Sequence, residues 1–145
     1  MKSIVELEIN APQAKVAELF ADLSAFPQWM DDVARMEPVG EQAGFSTERA
    51  YRLVPKKGRL AFVARVVRRD PPFRSRLALR SRNISVDVTG TFVRLSDDRT
   101  RLVAKNVVGF RGLLSRLFGL LGWPAIRRAH RRHMESFKRF AEARA

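Results

Sequence analysis

The sequence contains no cysteine, and among its 145 residues there are only two histidines and one tyrosine. Without cysteine, the chain has no disulfide bond, no thiolate metal site and no cysteine nucleophile. The absence suits a reducing compartment, and we therefore expect the protein to be cytoplasmic.

Catalytic and nucleotide-binding motifs are missing too. The sequence has no Gly-x-Ser-x-Gly elbow, no phosphate-binding loop and no dinucleotide-binding glycine pattern. His130 and His133 are three positions apart, whereas a metalloprotease zinc pair needs i,i+4 spacing with a glutamate between. We expect no metal and no cofactor, and whether the chain is an enzyme stays open.

Long apolar runs are also lacking. The most apolar stretch, residues 109–123, is interrupted by Arg111 and Arg116 and is shorter than the ~20 residues of a membrane span. The first ten residues alternate polar and apolar side chains, unlike the apolar core of a signal peptide. We expect neither a membrane span nor a signal peptide.

Acidic residues are few beside basic ones: 15 Asp and Glu against 28 Lys and Arg, a formal net charge of +13. Such a charge attracts nucleic acid, an anionic membrane, an acidic protein or an anionic ligand. It does not select among them, and an arginine-rich proteome would produce it without a function. A nucleic-acid partner has no further support, since stacking aromatics are not interleaved with the arginines.

The composition is globular, with 46% apolar residues and ten phenylalanines, and we expect a single domain over residues 1–145. Residues 3–9 have the period-2 pattern of a strand that buries Val5, Leu7 and Ile9. A helix to about residue 22 follows. A second short helix is expected to begin at Ser24 as N-cap, with an apolar face of Phe26, Trp29 and Met30.

The middle of the chain is strand-like as far as residue 110. Turn residues separate the runs, and no helical pattern lies between them, which predicts an antiparallel meander. The predicted strands are residues 34–39, 47–54, 60–69, 73–82, 84–95 and 101–110.

Helical spacing returns after residue 110 and predicts a main helix from about Pro124 to Ala143. Proline lacks the amide hydrogen that a helix interior requires. We therefore expect a kink or a break at Pro124.

Several motifs resemble the START-like (SRPBCC) superfamily, in particular its polyketide cyclase/dehydrase and lipid-transport group. They are Ala11-Pro12, Phe26-Pro-Gln-Trp29, Val88-Thr-Gly-Thr-Phe92 and the closing helix from Met134 to Glu142. The resemblance implies an α+β helix-grip fold of order β-α-α-β6-α, in which a seven-stranded antiparallel sheet wraps a long C-terminal helix. The superfamily includes cyclases, hydrolases, lipid carriers, coenzyme-Q-binding proteins and co-chaperones, so these motifs specify the fold more than the function.

Such folds hold an apolar cavity between sheet and helix, and that cavity is the default ligand site. One alternating set of side chains per strand, together with residues of the last helix, is expected to line it. The predicted lining is Trp29, Tyr51, Leu53, Phe62, Ala64, Leu77, Leu79, Val86, Val88, Phe92, Leu117, Leu121, Ile126 and His130.

Three functional hypotheses follow. The first is noncovalent binding of a small apolar molecule, such as a lipid, quinone, polyketide or aromatic metabolite. The second is a cyclase- or hydratase-like enzyme whose acid-base candidates are His130, Tyr51 and Asp87, although alternation places Asp87 on the outer face of its strand. Asn106 is a second polar residue in an otherwise apolar strand.

The third hypothesis is a basic surface that binds RNA, the ribosome or an anionic membrane. A leucine-rich run precedes the arginines that would meet phosphate groups, which are Arg127, Arg128, Arg131 and Arg132. The sequence leaves both a monomer and a homodimer open.

Overall fold

The computed structural model describes residues 1–40 and 50–145. Residues 47–49, at the start of the second strand of the predicted meander, lie outside this part. The elements are β1 (Lys2–Ile9), α1 (Gln13–Phe20), a 3₁₀ turn (Leu23–Ala25), α2 (Phe26–Trp29), β2 (Val33–Val39), β3 (Ala50–Pro55), β4 (Phe62–Asp70), β5 (Arg74–Arg80), β6 (Ile84–Ser96), β7 (Arg99–Phe110) and α3 (Leu113–Glu142).

The strands form one antiparallel sheet in the order β1-β7-β6-β5-β4-β3-β2. All neighbours in the sheet are consecutive in the chain except β1, which pairs with β7. Bulges or other irregularities interrupt β2, β4 and β6, and such irregularities bend a strand and increase its twist. The predicted α+β helix-grip fold is confirmed.

Alternation of side chains gives the sheet an inner face, covered by the helices, and an outer face. Phe20 of α1, Phe92 of β6 and Phe137 of α3 meet in the core with edge-to-face contacts. A Cβ atom at Gly90 would lie 2.7 Å from the Phe20 ring. Glycine at this position therefore allows α1 to pack closely on β6.

The second short helix differs from its prediction at its start. Ser24 lies inside the 3₁₀ turn, and its Oγ donates a hydrogen bond to Asp22 Oδ1 at 2.5 Å. Asp22 precedes the turn, and α2 begins only at Phe26. The predicted N-cap role of Ser24 is wrong because the chain here tightens into a 3₁₀ turn before it becomes α-helical.

The helix α3 begins at Leu113 instead of near Pro124 and runs through Pro124 without a break. Proline removes the hydrogen bond that the Leu120 carbonyl would otherwise accept, but Leu120 is exposed and water can replace that donor. The helix therefore tolerates the proline. Although α3 has 30 residues, none of the helices in the two described ranges is apolar enough over a sufficient length to cross a membrane.

Candidate functional site

A cavity of about 670 Å³ lies between the inner face of the sheet and the helices α2 and α3. Strands β3 to β7 contribute its walls, α2 contributes Trp29, and the second half of α3 closes it. The apolar lining comprises Phe20, Phe26, Trp29, Met30, Val33, Leu53, Pro55, Leu60, Phe62, Leu77, Leu79, Ile84, Val86, Val88, Val108, Phe110, Ile126, Ala129 and Met134.

Three residues of the cavity lining each carry one buried polar atom that has no hydrogen-bond partner within the described residues: Trp29 Nε1, Asn106 Oδ1 and His130 Nε2. The first is a donor, the second an acceptor, and the third is either one, depending on the tautomer. Leaving a buried polar atom unpaired costs about 1–3 kcal/mol. The three residues that carry these atoms line one cavity, so the atoms are candidates for contacts with a bound molecule.

Strand register brings two polar side chains to the same place. Asn106 of β7 is the Cα partner of both Val88 on β6 and Ser3 on β1. Ser3 Oγ lies 2.8 Å from His130 Nδ1, which joins the first strand to the last helix. Ser3, Asn106 and His130 thus form a polar cluster beside apolar Val88.

His130 is the one residue of the predicted acid-base set that lines the cavity. Its side chain is 3% exposed, and burial, followed by the positive charges of His133 and Arg131, lowers its pKa from 6.5 to about 4. The imidazole is therefore neutral at pH 7. Nδ1 is engaged by Ser3, and Nε2 is the ring nitrogen without a partner within the described residues.

The other two acid-base candidates lie elsewhere. Asp87 is on the outer face of β6, where its carboxylate lies 3.0 Å from Arg80 and 3.8 Å from Arg76. Tyr51 is on the inner face of β3 and packs beside the core, but it does not line the cavity. Neither residue can transfer a proton to a molecule in the cavity from these positions.

A charged group lies at the edge of the cavity. His133 Nε2 is 3.0 Å from Asp32 Oδ1, and the guanidinium of Arg132 is 3.6 Å from Asp31 and 4.0 Å from Asp32. Ligand atoms of Asp31, Asp32 and His133 lie within 4.8 Å of one another, which is close enough to hold a cation. However, Arg132 already compensates both carboxylates, so this cluster does not require one.

Nine of the fourteen predicted lining residues do line the cavity: Trp29, Leu53, Phe62, Leu77, Leu79, Val86, Val88, Ile126 and His130. Tyr51, Ala64 and Phe92 share the inner face but pack in or beside the core, away from the cavity. Phe92 is separated from it because Phe20 packs against the Phe92 ring.

The placement of Leu117 and Leu121 has to be corrected. Both were expected to face the cavity, yet both are exposed and neither lines it. The prediction assumed that a helix turns its leucines inward. In α3 the face in line with Ile126 carries Ser115, Gly119 and Gly122 instead, and a Cβ atom at Gly119 would overlap the Phe110 ring.

Sequence reasoning did not include Asn106, Ile84, Phe110 and Leu60 in the lining. A signal existed for Asn106, which stands out as a polar residue in an apolar strand. Only its register with Val88 shows that it faces inward. The other three lie near the ends of strands or in a loop, where alternation gives no reliable face.

The arginines predicted to meet an anionic surface are all exposed. Arg131 lies 3.8 Å from Glu135, and Arg132 is held by Asp31 and Asp32. Arg127 and Arg128 form no salt bridge within residues 1–40 and 50–145. These two are therefore the freer cations of the set.

The family model described as polyketide cyclase / dehydrase and lipid transport matches residues 2–142. No curated protein matches the chain. Similar solved structures include the Zhui aromatase/cyclase from Streptomyces sp. R1128, with 16% identity and a TM-score of 0.76 over 99% of this chain and 94% of that one.

Two further structures share the fold. A protein from Thermus thermophilus is 20% identical, with a TM-score of 0.71 over 99% of this chain and 96% of that chain. A START superfamily protein from Mycobacterium smegmatis is 15% identical, with a TM-score of 0.68 over 99% and 95%. At these identities the likeness establishes the fold alone.

Proposed function

We propose, from the premise that the chain belongs to the polyketide cyclase / dehydrase and lipid transport family, that it binds a small apolar molecule bearing an oxygen group in the cavity, without covalent chemistry. Lipids, quinones, polyketides and aromatic metabolites are the classes that fit. The observation that carries the proposal is an apolar cavity of about 670 Å³, three of whose lining residues each carry a buried polar atom without a partner within the described residues.

The size and walls of the cavity favour an apolar ligand. Ligand pockets typically enclose roughly 300–1,000 Å³ and are lined mainly by apolar side chains with a few polar groups. Each Å² of apolar ligand surface removed from water contributes about 25 cal/mol. Binding affinity would therefore come mainly from burial along the walls formed by β3 to β7.

The polar atoms favour an oxygen on that ligand. A carbonyl or hydroxyl oxygen can accept a hydrogen bond from Trp29 Nε1, and a hydroxyl can donate one to Asn106 Oδ1. Each of these atoms has almost no accessible surface, so a small side-chain rotation would accompany the contact. A pure hydrocarbon would leave all three atoms unpaired.

Native mass spectrometry of the purified protein, followed by denaturing extraction, tests the proposal. We expect an oxygen-bearing apolar compound on the wild-type chain. Val88→Trp should lower its occupancy about tenfold, because an indole placed in the cavity competes with the ligand for space. Val67→Trp, on the outer face of β4, is the matched control and should leave occupancy unchanged. Equal occupancy in both variants, or no binding of any oxygenated apolar compound, would overturn the proposal.

Asn106→Leu should change stability and binding in opposite directions. Removing the unpaired amide oxygen should raise the free energy of unfolding of the empty protein by about 1–2 kcal/mol. The preference for 2-naphthol over naphthalene, compared by thermal shift, should fall about tenfold because the hydroxyl loses its acceptor.

The control for this prediction is Thr91→Val, which removes a polar group from the outer face of β6 and should alter neither quantity. Urea unfolding of the ligand-free proteins measures the stability change. A destabilised Asn106→Leu protein with an unchanged ligand preference would show that the amide serves the fold and not the ligand.

A second candidate function is a cyclase- or dehydratase-like reaction in the same cavity, and the neutral His130 with its free Nε2 is the observation that favours it. A neutral imidazole can accept a proton from a bound substrate, and the imidazolium that forms can return that proton to another atom of the same substrate. Added polyketide-like compounds recovered lighter by one water would support the enzyme. Compounds recovered unchanged would support the carrier.

A further inference from the structure

The first half of α3 has its amphipathicity reversed. Six large apolar side chains of this segment point away from the protein, and each is 51–86% exposed. We refer to them as the leucine face, and they are Leu113, Leu114, Leu117, Phe118, Leu120 and Leu121. A helix of a water-soluble protein ordinarily turns such residues toward the core.

Packing against the sheet maintains this reversal. The inward side of the segment carries Ser115, Gly119 and Gly122, and Gly119 is buried directly against Phe110. Rotating α3 to bury the leucine face would bring a branched side chain to the place where even one Cβ atom overlaps the Phe110 ring. The apolar surface is therefore a stable feature of the fold.

The charge around the leucine face has one sign. No acidic residue occurs between Asp98 and Glu135 in the sequence, whereas Arg111, Arg116, Arg127 and Arg128 border or interrupt the apolar run. A large exposed apolar patch marks an interaction site. Leucines bordered by arginines suit an interface in which acyl chains lie beneath anionic phosphates.

A second copy of the chain fits this surface less well. Pairing two leucine faces would also bring together two sets of arginines. The segment offers no carboxylate between residues 99 and 134 to compensate them. Like charges placed opposite one another oppose association, whereas an anionic bilayer neutralises them.

The leucine face also adjoins the cavity. Phe110, against which the segment packs, lines the cavity, and so does Ile126 one turn after Gly122. Leu60, in the loop before β4, lines it as well and is 51% exposed, which places it at the mouth. Lys56 and Lys57 lie beside it on the lining and add positive charge.

We propose that the leucine face docks this protein on an anionic lipid bilayer, with its apolar side chains among the acyl chains and the bordering arginines on lipid phosphates. In this orientation the cavity mouth lies near the membrane surface. The docking stands independently of what the cavity binds, because it rests on the first half of α3 alone.

Vesicle binding tests the proposal with a reporter that the chain already contains. Trp123 is half-buried and lies two positions after Leu121, the last residue of the leucine face, and Trp29→Phe leaves it as the only tryptophan. In that variant we expect a blue shift of the emission, and quenching by brominated acyl chains, with vesicles of phosphatidylcholine and phosphatidylglycerol. Vesicles of phosphatidylcholine alone should bind at least about tenfold more weakly, and added salt should weaken binding to the anionic vesicles.

Substitution separates docking from general charge effects. The double variant Leu117→Glu/Phe118→Glu should reduce partitioning onto the anionic vesicles about 100-fold. Ile4→Glu/Val67→Glu makes the same charge change at exposed apolar positions of the outer sheet face and should stay within about twofold of the parent protein.

Three outcomes would overturn the proposal. Equal loss of binding in both double variants would reveal a net-charge effect, and equal binding to neutral and anionic vesicles would remove the role of the arginines. A concentration-dependent dimer in sedimentation that Leu117→Glu/Phe118→Glu dissociates, without any vesicle binding by the parent, would assign the leucine face to self-association.

Discussion

Replacing Phe137 with alanine should lower the free energy of unfolding by about 3–5 kcal/mol, which is the cost of emptying a large aromatic site in a packed core. Phe137 is fully buried on α3 and connects the aromatic pair Phe20–Phe92 with the pair Phe26–Trp29. Its ring lies 5.6 Å from that of Phe20 and 5.2 Å from that of Trp29, in edge-to-face geometry. Its loss would therefore loosen α1, α2 and α3 from one another.

Phe118→Ala is the matched control, because it makes the same chemical change on the same helix at an exposed position. Urea unfolding should show a change of less than about 0.5 kcal/mol for it. If the two variants lose similar stability, α3 is not anchored through Phe137, and the packing described above is wrong.

Acidification should destabilise the protein through His130 by about 3 kcal/mol between pH 6.5 and pH 4. In the unfolded chain this histidine titrates near 6.5, while in the folded protein burial holds its pKa at about 4. Between these two values the unfolded state binds more protons, so lowering the pH favours unfolding. This contribution of His130 to the free energy of unfolding is fully present above pH 6.5 and is lost as the pH falls to 4.

Other groups also titrate in acid, so the contribution of His130 is measured as a difference. The free energy of unfolding should fall by about 3 kcal/mol less in His130→Gln than in the wild type over this range. His133→Gln, which changes a half-buried histidine paired with Asp32, is the control, and its free energy of unfolding should fall nearly as much as that of the wild type because burial is the largest cause of the lowered His130 pKa. An unchanged slope in His130→Gln would mean that His130 is accessible to water in the folded protein.

Much of the fold could be predicted because its signals are local. Alternating residues such as Val5, Leu7 and Ile9 identify a strand by themselves, and Gly58 and Pro71 lie in turns that separate strands. Observed strand ends differ from the predicted ones by a few residues, as in β7, which begins at Arg99 instead of residue 101. The helix-grip order then followed from motifs spread over the whole chain.

The first half of α3 could not be predicted because a contact between distant residues decides it. Leucine spacing indicates that the segment is helical, but the orientation of the helix depends on Gly119 lying against Phe110. Pro124 likewise indicates a kink or an end of a helix, and only the finished fold shows that α3 continues through it.

Only the outline of the candidate site could be predicted, because its details also depend on contacts between distant residues. The inner face follows from alternation, but which part of that face borders empty space depends on how deeply Phe20 enters above Gly90. Asn106 shows the same limit. Its polarity is visible in the sequence, whereas its position beside Ser3 and Val88 requires the register of three strands.

The place of β1 in the sheet has a consequence for synthesis of the protein on the ribosome. β1 is made first, yet it pairs with β7 and its Ser3 contacts His130, 127 positions later. Asn10 binds Glu142, 132 positions later. Closing contacts over such separations is slow, because the chain loses entropy before the contacts form. Through most of translation the emerging apolar strands therefore lack their final partners, and the nascent chain should depend on protection from aggregation until α3 has been made.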